Sequence, residues 1–122
     1  MSDNFVKVAR QEIQSELSAL QEILLQCNND NDISKLGNNI GKHLHKIKGL
    51  APMMDQISIG EIAKMNDSII KHIIENGRLD GIYQILLEST EIMKAIFDNS
   101  ANPNISDLKH KIYSTFPTVF NK

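Results

Sequence analysis

The segment HLHKIKGLAPMM, His43 to Met54, carries the residues best suited to chemistry. Two histidines stand two positions apart, with Lys46, Lys48 and Gly49 close behind. A neutral imidazole, with a reference pKa of about 6.5, is a usable nucleophile at neutral pH. A lysine one turn away neutralises the oxygens of an incoming phosphoryl group, in reactant and transition state alike. Phosphoryl transfer to and from an imidazole therefore suits this segment.

Position on the helix separates the two histidines. On a wheel of about 100° per residue with Ile40 at zero, Leu44, Ile47, Ala51 and Met54 fall within roughly 40° of it. His45 lands at about 140° and Lys48 at about 80°, on one flank. His43 falls at about 300°, on the other flank. Ligands of one metal must converge, so this divergence argues against a shared metal site. His43 reads as a boundary histidine beside Leu44, and His72 and His110 read as surface residues. Gly49 faces solvent, where a helical glycine costs about 1 kcal/mol relative to alanine. A partner settling closely onto the helix would justify it. Lys35, Lys42, Lys46 and Lys48 lie along this stretch, and no acidic residue occurs from Ile33 to Met54.

The elements that must position these residues all read as helices. Val6, Ala9, Ile13, Leu17, Leu20 and Leu24 form one apolar stripe, and CNNDND, residues 27–32, reads as a turn. Ile33, Leu36, Ile40, Leu44, Ile47, Ala51 and Met54 form a second stripe, with Pro52 bending its end. Ser58 and Glu61 suggest a capping box ahead of Ile62, Met65, Ile69 and Ile73, and Asn76-Gly77 ends that helix. Asp80 is the expected cap of a fourth helix, and Pro117 limits a short fifth. The spacing predicts helices over about 3–27, 33–54, 58–75, 80–98 and 105–114. The expected fold is all-α, an up-down-up-down antiparallel four-helix bundle with a short fifth C-terminal helix.

Composition sets the outer bounds. The chain of 122 residues is the length of one domain, 1–122. With 13 basic and 15 acidic side chains and a net charge of -2, it is no obvious polyanion binder. The single cysteine, Cys27, forms no internal disulfide and suits a reducing compartment. With no apolar leader or spanning run, the cytoplasm is the expected location and no membrane partner is implied. One bundle burying all these stripes is expected to be a monomer.

At His45, Lys48, Gly49 and Ala51 the chain resembles histidine phosphotransfer domains, whose hallmark is His-x-x-Lys-Gly. It looks most like the N-terminal phosphotransfer domain of chemotaxis histidine kinases, whose phosphohistidine helix reads much like HKIKGLAPMM. The likeness runs from Phe5 to about Phe97 and includes the long first helix and the Ile62-Ala63 opening of the third. The resemblance implies a two-component phosphorelay. His45 would accept a phosphoryl group from a histidine kinase catalytic domain or a receiver aspartyl phosphate. It would pass the group to the aspartate of a response-regulator receiver domain. The domain would be a phosphocarrier with no nucleotide site, cofactor or metal of its own; ATP and magnesium belong to its partners. Lys48 matches the family lysine and Gly49 the small residue below the docking surface, where Lys42, Lys46 and Pro52 are also expected.

Three positions depart from the chemotaxis pattern. Asp55 stands where glycine is usual, and Pro52 where a small residue is common. Ile70 aligns with a glutamate that often bonds the active imidazole. Asp67, at a nearby family position, is the expected substitute partner for the His45 ring N–H, leaving the other nitrogen free. These departures keep a second reading open, a transfer-dead bundle that docks a receiver or kinase domain as adaptor or inhibitor. Nucleic-acid contact is disfavoured, because the lysine-bearing helix has no arginine and no interleaved aromatic residue. A hydrolase is disfavoured too, because His45 has no serine or cysteine partner in evident spacing.

Overall fold

A computed structural model of the chain describes residues 3–100 and 102–120. Met1, Ser2, Ala101, Asn121 and Lys122 lie outside the described residues. Among the described residues every regular element is a helix and no strand occurs. Helix α1, Asp3–Leu25, buries Ala9, Ile13, Leu17, Leu20 and Leu24 at the spacing of one helical face. Val6 shares that spacing but stays exposed.

The stretch 33–54, expected as one helix, is three elements. They are α2, Asp30–Lys35, then α3, Gly37–Leu50, then a 3-10 turn, Pro52–Met54. Helix α2 starts inside the run expected to be a turn. Asn29 is extended and its side chain accepts the Asp32 N–H at 3.0 Å, while the Asp32 carboxylate accepts the Asn28 N–H at 2.8 Å. Residues that compete with the backbone inside a helix satisfy it at the entry. Leu36, at φ -103 and ψ 14, separates α2 from α3. The second break follows from Pro52, which has no N–H to continue the ladder. The turn it opens ends at Asp55, whose φ of 59 and ψ of 21 are left-handed.

Two expected caps are replaced by long-range bonds. Helix α4, Ile57–Asn76, has Gln56 ahead of it with no side-chain cap, and the Ser58 hydroxyl donates to the Pro103 carbonyl instead. Helix α5, Ile82–Phe97, is capped from a distance, since the Asp30 carboxylate accepts the N–H groups of Gly81 and Tyr83 at 3.0 and 2.8 Å. Asp80, the expected cap, is exposed and pairs with Arg78 at 3.1 Å. Asp30 thus joins the start of α2 to the start of α5. Helix α6, Ser106–Thr115, stops before Pro117, which opens a further short helix, α7, Pro117–Phe120. Phe116 and Val119 anchor that end in the core.

Helix α1 packs on α3 and α5, and α4 packs on the same two. The α3–α4 contact is the most extensive. Ile40, Leu44 and Ile47 of α3, and Ala51 just after it, are fully buried. Beside them Gly37 and Gly41 meet Ile74 and Ile70, and a Cβ on either glycine would lie 3.3 Å from the isoleucine side chain. No helix among the described residues is long and apolar enough to cross a membrane.

Leu44→Ala should cost about 2–5 kcal/mol in chemical denaturation, and a near-zero loss would misplace this core. Cys27 is buried, its thiol facing the Ile23 carbonyl at 3.4 Å; burial, and then the nearby Asp32 carboxylate, push its pKa up. Less thiolate forms at mildly alkaline pH, so iodoacetamide should modify the native thiol at least about tenfold slower than the urea-unfolded one. Equal rates would contradict its burial.

Candidate functional site

The chemistry-bearing flank of α3 faces α4. Contacts along the two helices run in opposite order: Gly37 meets Ile74, Gly41 meets Ile70, and one turn further His45 meets Asp67. The His45 side chain is 64% exposed, and its Nδ1 lies 3.6 Å from Asp67 Oδ2. That separation is an electrostatic contact, longer than a hydrogen bond. The Asp67 carboxylate is nearly buried, at 4% exposure. Its Oδ2 accepts from the Lys48 ammonium at 3.1 Å and also faces the Lys71 ammonium at 3.1 Å.

Burying a carboxylate is costly unless opposite charge and hydrogen bonds accompany it. Here two ammonium groups supply both. Both lysines reach solvent, so water screens part of the attraction. The arrangement places His45, Lys48 and Asp67 together, three residues read as site residues from the sequence. Lys71 was not among them. Its signal was the i,i+4 spacing from Asp67 on one helix face.

Gly49 lies exposed on α3, with nothing within 4 Å of where a Cβ would sit. Lys42 and Lys46 are exposed, but Lys46 turns toward α1, its ammonium 3.5 Å from Glu16 Oε1. Pro52 is exposed at the end of α3, and its ring closes on α4 at Gly60. A Cβ on Gly60 would lie 3.0 and 3.1 Å from the Pro52 ring carbons.

The three departures have physical explanations here. Asp55 takes the left-handed backbone that glycine adopts freely, and aspartate is among the few other residues at ease there. Pro52 forms the elbow between α3 and α4. Ile70 is fully buried against Gly41, so it belongs to the core rather than to the imidazole's surroundings. The carboxylate beside the ring comes from Asp67, one turn earlier on α4.

His43 sits on the opposite flank, 18% exposed, and its Nδ1 pairs with Oε2 of the buried Glu16 on α1. His72 Nδ1 lies 3.4 Å from the Asn76 amide, on the exposed side of α4. Among the described residues no group of three or more His, Cys, Asp or Glu side chains converges to hold a metal ion. Compared with known proteins, the chain matches no family model, no curated protein and no solved structure.

The two glycines at either side of the elbow should respond oppositely to alanine. Gly49→Ala should raise stability by about 0.5–1 kcal/mol, because the helix gains and nothing is struck. Gly60→Ala should lower it by about 1–3 kcal/mol, because the Pro52 ring cannot rotate aside. Thermal or chemical denaturation of both variants measures this, and the reverse ranking would refute the close α3–α4 elbow.

Proposed function

We propose that this chain is a phosphocarrier in a two-component phosphorelay, with His45 taking up and releasing the phosphoryl group. One observation carries the reading. An exposed imidazole has Nδ1 turned toward a buried carboxylate, and that carboxylate also holds the lysine one turn along the same helix. A neutral ring with its proton on Nδ1 keeps its lone pair on Nε2. As Nε2 attacks phosphorus, the new N–P bond forms while the bond to the leaving oxygen breaks. The ring gains positive charge, which the Asp67 carboxylate offsets. Lys48, 31% exposed, is able to share its ammonium with the phosphoryl oxygens.

The chain contributes a placed nucleophile and one cation. The partner supplies magnesium, ATP or a receiver carboxylate, and most of the transition-state stabilisation. Gly49 and the open surface around it leave room for that partner's active site. The donor is a histidine kinase catalytic domain or a phosphorylated receiver, and the acceptor a receiver aspartate, as in chemotaxis signalling in the cytoplasm. We read α1, α3, α4 and α5 as the up-down-up-down bundle that carries the site, with α6 as the added helix. The pairwise packing of α1, α3, α4 and α5 into a ring supports that arrangement.

The test is phosphate uptake from autophosphorylated kinases and phosphorylated receivers of the same organism. Wild type should acquire an acid-labile, alkali-stable radiolabel that exchanges with a receiver. Lys48→Ala should slow the exchange about tenfold while shifting stability by less than about 1 kcal/mol. His45→Gln should lose the exchangeable label and keep its melting temperature, because the ring is largely exposed. Receiver binding without any label would instead make the bundle an adaptor.

A further inference from the structure

Helix α3 carries the His-x-x-Lys spacing twice, overlapping: His43 with Lys46, and His45 with Lys48. The two copies have like parts, although the His43 side chain is 18% exposed against 64% for His45. His45 turns Nδ1 toward Asp67 of α4, and Lys48 donates to the same carboxylate. His43 turns Nδ1 to Glu16 of α1, and Lys46 lies 3.5 Å from the other oxygen of that carboxylate. Both carboxylates are nearly buried, at 8% for Glu16 and 4% for Asp67. The two constellations lie on opposite flanks of α3, because residues two apart on a helix differ by about 200°.

A structural histidine at a helix boundary needs one hydrogen bond. It needs neither a buried acid nor a lysine at the same spacing as the neighbouring site. Glutamate at position 16, buried among the apolar residues of α1, is a costly choice unless its charge is paired, and His43 and Lys46 pair it. His43 is held more firmly than His45, since its Nδ1 is hydrogen-bonded to the acid rather than only facing it. In the neutral ring a carboxylate at Nδ1 favours the proton there, which leaves the lone pair on Nε2.

We propose that His43, with Glu16 and Lys46, is a second phosphoryl-acceptor site on the α1 flank of the helix. It takes its group from an acyl phosphate or a phosphoramidate. In the step the Nε2 lone pair forms an N–P bond as the donor's P–O or P–N bond breaks. The leaving group departs with that electron pair. Glu16 offsets the charge left on the ring through the shared Nδ1 proton, and Lys46, 53% exposed, meets the phosphoryl oxygens. Glu16 and Lys46 are positioning residues here. The inference rests on the reading of His45 as an acceptor, extended to a second copy of its parts.

Potassium phosphoramidate tests it without any partner protein. Intact mass counts the groups, and digestion and mapping under alkaline conditions locate them. Wild type should carry two rapidly added groups, His45→Gln one on His43, and His43→Gln one on His45. His72 and His110, on the surface, set the background rate. Lys46→Ala should slow labelling of His43 about tenfold and leave His45 unchanged. Nitrogen-15 spectra of the imidazoles should place the His43 proton on Nδ1. No label on His43, or labelling no faster than His72 and His110, overturns the second site and leaves His45 standing. Label on His43 alone supports the second site and leaves His45 to uptake from kinases and receivers. No label on any variant overturns the second site.

Discussion

Gly37 and Gly41 let α4 settle onto α3 with isoleucine side chains against bare backbone, and the site follows from that approach. With Ile74 over Gly37 and Ile70 over Gly41, the next turn of α4 brings Asp67 beside His45 and Lys48. Larger residues at 37 or 41 would push the helices apart, because interiors pack without slack. The 3.6 Å separation of imidazole and carboxylate would then lengthen. At the other end of the interface, the Pro52 ring seats on Gly60 and holds the elbow.

Charge is distributed to match. Helix α3 has basic residues and no acidic ones, so Lys46 and Lys48 draw their counter-charge from neighbouring helices. Asp67 of α4 serves one flank and Glu16 of α1 serves the other. Buried acids of this kind do little for net stability, since desolvation offsets most of the attraction. Their effect is orientation: each turns Nδ1 of its histidine toward negative charge, which in the neutral ring favours the proton there and leaves Nε2 to react. Long-range placement of acids recurs at Asp30, which caps α5 from the start of α2.

The Pro52–Asp55 elbow shows how a departure from a sequence pattern is absorbed. Proline removes one N–H, the turn tightens into a 3-10 segment, and the chain must reverse hand once to enter α4. Asp55 performs that reversal in the left-handed region, where glycine is the usual solution.

The sequence by itself determined that the chain is helical and, apart from Val6, Leu36 and Met54, which residues line the first two buried stripes. It also placed His45 and Lys48 on a common flank, with His43 opposite. These follow from the helical period, a local property that a single chain segment expresses without its neighbours. The break at Leu36, the helical start inside CNNDND, and the replacement of Asp80 by Asp30 as a cap were not legible there. The last two depend on which of several competing polar side chains reaches a backbone N–H. Asp67 was expected beside the imidazole from the resemblance, but only the tertiary structure decided its distance, that Lys71 joins it, and that Glu16 gives His43 a partner. Those pairings cross 22, 4 and 27 residues of chain, and the two long ones are set by how closely helices approach. That distance is fixed by glycines and isoleucines on both helices at once, and no single helix's pattern contains it.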